Sequence, residues 1–513
     1  MQFTILAYRQ VVPNEMRSQA FLTQDDWNDY SYYALYYLSY VDDQGLRTQL
    51  GAVKIAYFGQ EKGAEARKLL IGNTFQRLED QYFSLGQDDS YYSNLNSLGE
   101  NIRDEILEAL HDIAKDDQLY EKAILEEVAK QSLLRSVSPT SVAGQFRRLT
   151  LGGARLSKYD FDFSLPIEEM NPNQVVLSFS VVPESTPPTD IHVIIGRNGV
   201  GKTHLINNMI NTLVKTEESP LHGVFKPDEN TPLEKLFANL ISVSFSAFDI
   251  AEPLDENMDQ TNRIHYSYIG LKQKKTDKKK ALTLKSPEML SEEFVSSAQK
   301  CKKGSKADLW IMALKSLASD PIFRDADIPS IINLREDNEF EERCGKSYGS
   351  LSSGHKIILY TITRLVERIE ERSLVLMDEP ETHLHPPLLS AFTRALSNLL
   401  VHKNGVAIIA THSPVILQEV PKSCVYTLRK SGHDTIAERL DAETFGENVG
   451  SLTREVFGLE VTDSGFHKAI IDLIDKGNNY DSIVQLYAGQ LGMEARAILR
   501  ARIASRDGLI NNQ

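Results

Sequence analysis

Cysteine is scarce in this chain. Three residues among 513, Cys301, Cys344 and Cys424, lie far apart with no C-x-x-C pair, which argues against a disulfide framework and against a cysteine zinc site. Long apolar runs are missing too, with no stretch of the length a membrane span needs and no leader-type segment, so the expectation is a cytosolic protein with no membrane partner. Positive charge is in deficit: 56 Lys and Arg stand against 71 Asp and Glu, a net charge of −15. Binding nucleic acid across the whole surface needs clustered cations and is thereby disfavoured. One local patch is left for that purpose, Lys272 to Lys280, with Lys300, Lys302, Lys303 and Lys306 further on. It reads either as a solvated loop or as a nucleic-acid contact. Sustained heptads are also lacking between Lys202 and Ser352, which counts against long coiled-coil arms. The chain is nevertheless long enough for two to four domains, and 41% hydrophobic content is ordinary for a globular protein.

What is present centres on Ile191 to Ile210, IHVIIGRNGVGKTHLINNMI. The β-branched start reads as a buried parallel strand. Gly196-Arg197-Asn198-Gly199-Val200-Gly201-Lys202-Thr203 then matches G-x-x-x-x-G-K-[ST] at every fixed position. Glycines let backbone N–H groups turn inward around a polyphosphate, and the helix beginning near Lys202 aims its positive end at the same place. Lys202 is expected along the β- and γ-phosphates of ATP and Thr203 on Mg²⁺.

A second half of such a site follows at Leu374 to Pro380, LVLMDEP. Asp378, at the carboxyl end of a buried strand, is expected to hold Mg²⁺, and Glu379 to polarise an attacking water. Earlier, Leu351-Ser352-Ser353-Gly354-His355-Lys356 opens a helix with an apolar face at Ile357, Ile358, Ile362, Leu365, Val366 and Ile369, a second helix start suited to anions. Val406 to Ala410 reads as a further buried strand, and His412, in Thr411-His412-Ser413-Pro414, can reach a γ-phosphate from its end. Ser246 or Asp249, after a strand at Leu240 to Phe248, is a weak candidate for a further metal or water contact.

The order GRNGVGKT, LSSGH, LVLMDEPETHLHP, ATHSP resembles the ABC/SMC-like (AAA_21-type) ATPases over roughly residues 160 to 430. That resemblance implies an α/β ABC-type ATPase head with a mixed-sheet core, a helical insertion and a C-terminal helical region. It also implies a head-to-tail dimer or higher homo-oligomer in which Ser352, Ser353 and Gly354 of one copy cap the nucleotide of the other, with Glu379 as catalytic base and His412 as switch histidine. Ser353 stands where the family usually has Gly, His355 where it often has Gln, and the Gln near Ser246 is absent; these departures bear on the hydrolysis rate rather than on ATP binding. The Glu381-Thr382-His383-Leu384-His385-Pro386 run is similar to the dimer-contact loop of soluble members, a role favoured over a metal site.

The remaining segments are assigned around this core. Residues 1–155 form an N-terminal region, contributing strands or appended, with two strands around the Asp42–Gly45 turn and two amphipathic helices, one on Ile102 to Ile113 and one on Ala123 to Leu133. Residues 156–250 and 346–440 form the ATPase core, 250–345 a Lys-rich helical insertion projecting from it, and 441–513 a helical partner-binding region in which Arg496, Arg500, Arg502 and Arg506 read as a solvated face. The tail is too short for a Toprim nuclease and no His-Asn-His constellation is present. The TFGENVGSLTREVFG segment resembles the PtuA-like ATPases of Septu and retron anti-phage defence systems. This implies an HNH (PtuB-like) partner nuclease and, in the retron form, a reverse transcriptase with its msDNA, with Lys272 to Lys280 as the nucleic-acid contact. The alternatives are a DNA-repair motor of SMC type and the ATPase subunit of a PARIS- or OLD-like system with a Toprim partner.

Overall fold

The computed structural model describes residues 1–13, 16–26, 28–63, 74–153, 156–166, 175–214, 222–228, 236–245, 264–273, 283–302, 305–334, 336–431, 434–462 and 465–507. Its largest sheet has seven strands in the order His265–Gly270, Asn239–Ser244, Leu374–Asp378, Val406–Thr411, Ile191–Gly196, Val425–Ser431 and Asp434–Arg439. All neighbours run parallel except the last pair, which is antiparallel. The three central strands are buried along their whole length, which is why they read as continuous apolar runs rather than alternating ones. Register brings Asp378 opposite Ala410, and Thr411 opposite Ile195. Three carboxyl ends thus finish level, at the crevice where open α/β sheets bind ligands.

The strands Tyr159–Ser164 and Val176–Val181 pair antiparallel, and with Val224–Pro227 they make a separate three-stranded sheet. Phe161, Phe163, Phe179 and Phe225 join that layer to the phosphate-loop helix Lys202–Val214 in one apolar cluster.

The N-terminal region has its own six-stranded sheet and its own core, and among the described residues none of its strands enters the seven-stranded sheet. The tyrosine-rich hairpin is present as Leu35–Val41 and Arg47–Tyr57. The second of the two expected helices is broken into a short α-helix, Asp117–Ala123, and a π-turn, Ala129–Leu133. Arg148 to Glu371 at 2.6 Å, Ser141 to Glu370 at 3.0 Å and Lys403 to Asp89 at 2.9 Å fasten the region to the layer around the seven-stranded sheet.

The helices between 287 and 350 do not project. Phe294, Ala298, Trp310, Ala313 and Leu317 share a single core with the Ser353–Arg368 helix and the Pro386–Lys403 helix. Trp310 is wholly buried and donates Nε1–H to Thr363 Oγ1 at 3.0 Å. Three of the lysines here have partners within the fold: Lys300 reaches Glu367 Oε1 at 2.7 Å, Lys306 donates to the Glu367 carbonyl at 2.7 Å, and Lys302 pairs with Asp337 at 3.2 Å. Burial alone would raise Glu367, but Arg364, Arg368, Lys300 and Ser297 hold it down at about 2. Lys272 is buried at a bridge with Leu284, whereas Lys274 to Lys280, and Lys303, lie outside the described residues.

Among the described residues, four helices follow the sheet's last strand: Val449–Thr462, Gly465–Asp475, Tyr480–Leu486 and Met493–Arg506. Of the arginines expected on a solvated face, Arg496 is half-buried and Arg506 exposed, and both bond to carbonyls of neighbouring turns. Arg496 donates to the carbonyls of Leu491 and Gly489, and Arg506 to those of Ile474 and Asn478, because the turns between these short helices leave carbonyls that only a side chain can satisfy. Among the described residues no helix is long and apolar enough to cross a membrane.

Candidate functional site

The phosphate loop leaves the Ile191–Gly196 strand and enters the Lys202–Val214 helix without a break. Gly199 and Gly201 carry φ of +82° and +103°, and nothing stands within 4 Å of where their Cβ atoms would be. That backbone is open only to glycine, and the free space above it is where a polyphosphate would lie. Lys202 is 4% exposed and turns back over the loop, donating to the carbonyls of Gly196 and Arg197, each at 3.0 Å. Burial lowers its ammonium below the ordinary lysine value, against the opposing pull of Glu379, Asp378 and Glu381.

The two acids end the neighbouring strand but one. Asp378 is buried, and Glu379 is displayed on a left-handed backbone, φ +46°, held by its N–H donating to Ala410 O at 2.8 Å. A non-glycine residue in that region is strained by of order 1–3 kcal/mol, and the strain here aims the carboxylate across the crevice. Glu379 Oε1 lies 3.9 Å from Lys202 Nζ and 3.5 Å from His412 Nδ1. Thr203, in the first turn of the helix, and Asp378 offer hard oxygen donors of the kind Mg²⁺ takes; a hydroxyl and a carboxylate beside an open glycine loop suit a magnesium-bound triphosphate. Asn198 is exposed in the loop. Ser246 and Asp249 lie outside the described residues.

Glu381 was not singled out by sequence reasoning, which saw it only as the start of a loop. Its buried Oε1 accepts from Thr411 Oγ1 at 2.6 Å and from His412 N–H at 2.8 Å, and stands 3.1 Å from His412 Nδ1. It therefore fixes the turn that carries His412, whose ring is 44% exposed. Nothing in the local pattern marks it, because its partners come from another strand.

Ser352 caps the Ser353–Arg368 helix, with its hydroxyl bonded to His355 Nδ1 at 2.6 Å rather than to the first-turn N–H groups. Ser352 and Ser353 are exposed and Gly354 is buried. A Cβ on Gly354 would come 2.8 Å from the His383 carbonyl, so this glycine lets the helix start press on the Glu381–Pro386 loop. The hydrogen bonds of Ser352 stay within its own first turn and do not reach the phosphate loop.

A glycine–lysine phosphate loop, an acidic pair and a histidine at the ends of adjacent parallel strands, with a Ser-Ser-Gly helix start close by, define an ABC-type ATPase domain. Residues 229–418 match the AAA_21 family, described as "AAA domain, putative AbiEii toxin, Type IV TA system". The chain is 40% identical over 531 aligned residues to Protein ea59 of Escherichia phage lambda, covering 99% of each, and it belongs to the family of that protein. Among solved structures it is similar to the ADP conformation of an ATP-binding cassette of an ABC transporter, at 16% identity over 60% of this chain and 98% of that one, TM-score 0.29. It is similar likewise to cbiO1 from Clostridium perfringens, part of the ABC transporter complex cbiONQ, at 16% identity over 53% and 85%, TM-score 0.29.

Proposed function

We propose that the chain is an ATP-gated clamp: two copies close head to tail on Mg²⁺-ATP, hydrolyse it slowly, and through that closure restrain or release a partner nuclease. The observation that carries this reading is the array of Lys202, Glu379 and His412 at one crevice, with Glu379 Oε1 3.9 Å from the lysine and 3.5 Å from the histidine. Gly196, Asn198, Gly199, Gly201 and Lys202 cradle the phosphates, and Thr203 with Asp378 holds Mg²⁺. The exposed Ser352 and Ser353, with Gly354, supply the cap for the other copy. Glu379 faces both an ammonium and an imidazole, so the group placed to orient an attacking water is tied to the lysine loop and to the histidine at once, which supports coupling ATP occupancy to the closure of the clamp. The surface offered to the nuclease is the C-terminal helical unit, where Phe466, Leu486 and Met493 stand 50%, 67% and 91% exposed.

Sedimentation of the full chain with Mg²⁺-ATP tests the clamp. Glu379→Gln should lock a dimer and Lys202→Ala should stay monomeric; a Glu379→Gln protein whose mass ignores ATP would refute it. Co-purification with the product of the adjacent reading frame tests the partner. A retained HNH protein supports the reading, a Toprim protein replaces it with the OLD-like alternative, and no retained nuclease removes the nuclease role.

A further inference from the structure

We propose that Asp320, His355 and His385 form a site for a divalent transition ion of the zinc class, joining the start of the Ser353–Arg368 helix to the loop that follows the acidic pair. One ligand atom from each of the three lies within 4.8 Å of the others. They come from three separate segments: the cap of the Pro321–Ala326 helix, the first turn of the Ser353–Arg368 helix, and the cap of the Pro386–Lys403 helix.

His355 and Asp320 form the inner side, with side chains 3% and 8% exposed and Nε2 to Oδ1 at 3.2 Å. Ligand atoms about 2.0–2.1 Å from a tetrahedral zinc are about 3.3 Å apart, so this pair already has the spacing of two ligands on one ion. In the tautomer whose Nδ1–H is donated to Ser352 Oγ, 2.6 Å away, Nε2 keeps a lone pair facing the carboxylate. Two acceptors at that distance repel unless a cation lies between them, and a hydrogen-bonded second nitrogen is how metal-bound imidazoles are commonly oriented. The Phe323 ring packs edge-on at 5.0 Å and fixes the plane of His355.

His385 closes the outer side. Its Nδ1 accepts from Leu388 N–H at 3.4 Å, so Nε2 is the nitrogen offered, and its exposed ring stands 6.2 Å from that of His355. Three protein ligands with solvent on one side leave a coordination position for water. Two imidazoles and a carboxylate favour a borderline ion over Mg²⁺, which prefers oxygen alone. The three cysteines are buried and do not compete.

The test uses the full chain, stripped of metal and titrated with Zn²⁺ alone in the presence of excess Mg²⁺, with Co²⁺ as a spectroscopic probe of imidazole ligation. One tight equivalent per chain is expected. Asp320→Asn and His385→Ser should each weaken it by at least the roughly 10–100-fold that an outer-shell partner is worth. Both replacements retain the helix caps, so circular dichroism and apo melting should match wild type and separate lost ligation from lost folding. Failure to bind a stoichiometric equivalent, or equal affinity in both variants and wild type, overturns the proposal.

Discussion

Replacing Glu381 by Ala isolates an acidic residue whose role comes from tertiary contacts. Thr411 is fully buried, so without Glu381 Oε1 its hydroxyl loses a 2.6 Å partner and finds no water; leaving a buried donor unsatisfied costs about 1–3 kcal/mol. The His412 N–H, bonded at 2.8 Å, is at a more exposed residue, and losing its bond to a charged acceptor costs about 1.5 kcal/mol. Because both bonds share one oxygen they do not add fully, and about 3 kcal/mol is the working figure. At about 2–4 °C per kcal/mol for a domain of this size, the melting point should fall by roughly 6–12 °C. Glu381→Gln keeps an amide oxygen in place and should cost less than about 1 kcal/mol. Differential scanning calorimetry reads the stability, and phosphate release reads function: turnover should drop at least about tenfold, roughly 1.4 kcal/mol of barrier, while ATP affinity, carried by residues 196–203, changes little. Equal melting points for Ala and Gln variants would show that the carboxylate does not hold this turn.

Two further outcomes follow from the geometry. Gly354→Ala places a methyl 2.8 Å from the His383 backbone oxygen; despite better helix propensity it should destabilise by about 1–3 kcal/mol and abolish any ATP-driven dimer, seen as a lower melting point and an unchanged mass with nucleotide. Asp112, in the N-terminal core, is raised by burial from 3.8 to about 7, against hydrogen bonds from Ala114, Tyr92 and Gly86. Its native form holds a proton that the unfolded chain releases between those values, so its contribution to stability is lost as pH rises, by about 4 kcal/mol across the window. Asp190 is raised to about 7 as well and acts with the same sign, so the informative quantity is a difference. Between pH 4 and pH 8, Asp112→Asn should lose less stability than wild type in urea titrations, and parallel pH profiles would contradict the assignment.

The phosphate loop was legible because its chemistry demands fixed residue types in one unbroken run, and the structure keeps that run as strand, loop and helix. The helical start at Ser352 and the strand ending at Asp378 were legible for the same reason. What escaped was whatever depends on partners far along the chain. Nothing in the sequence signals that Lys300 and Lys306 converge on Glu367, 67 and 61 residues away, although Lys300 is exposed as its composition suggests. The 287–350 helices read as a projection because their polar faces dominate the composition, while Phe294 and Trp310 bury completely. The hairpin at Leu35–Tyr57 was foreseeable from its turn, but the parallel pairing of Gln2–Leu6 with Gln19–Gln24 was not, since local turn chemistry does not specify parallel neighbours.

The His383–His385 run shows the same limit from the other side. Two histidines one residue apart suggest a shared ligand, but their backbones diverge: His383 sits at φ +74° with its carbonyl against Gly354, and His385 begins a helix. The partners His385 does meet, His355 and Asp320, are 30 and 65 positions earlier in the chain. Gly354 makes that meeting possible, because a side chain there would drive the first turn of the Ser353–Arg368 helix away from the loop. The glycine that reads as part of an anion-binding helix start is therefore also the residue that allows the three ligand side chains to approach.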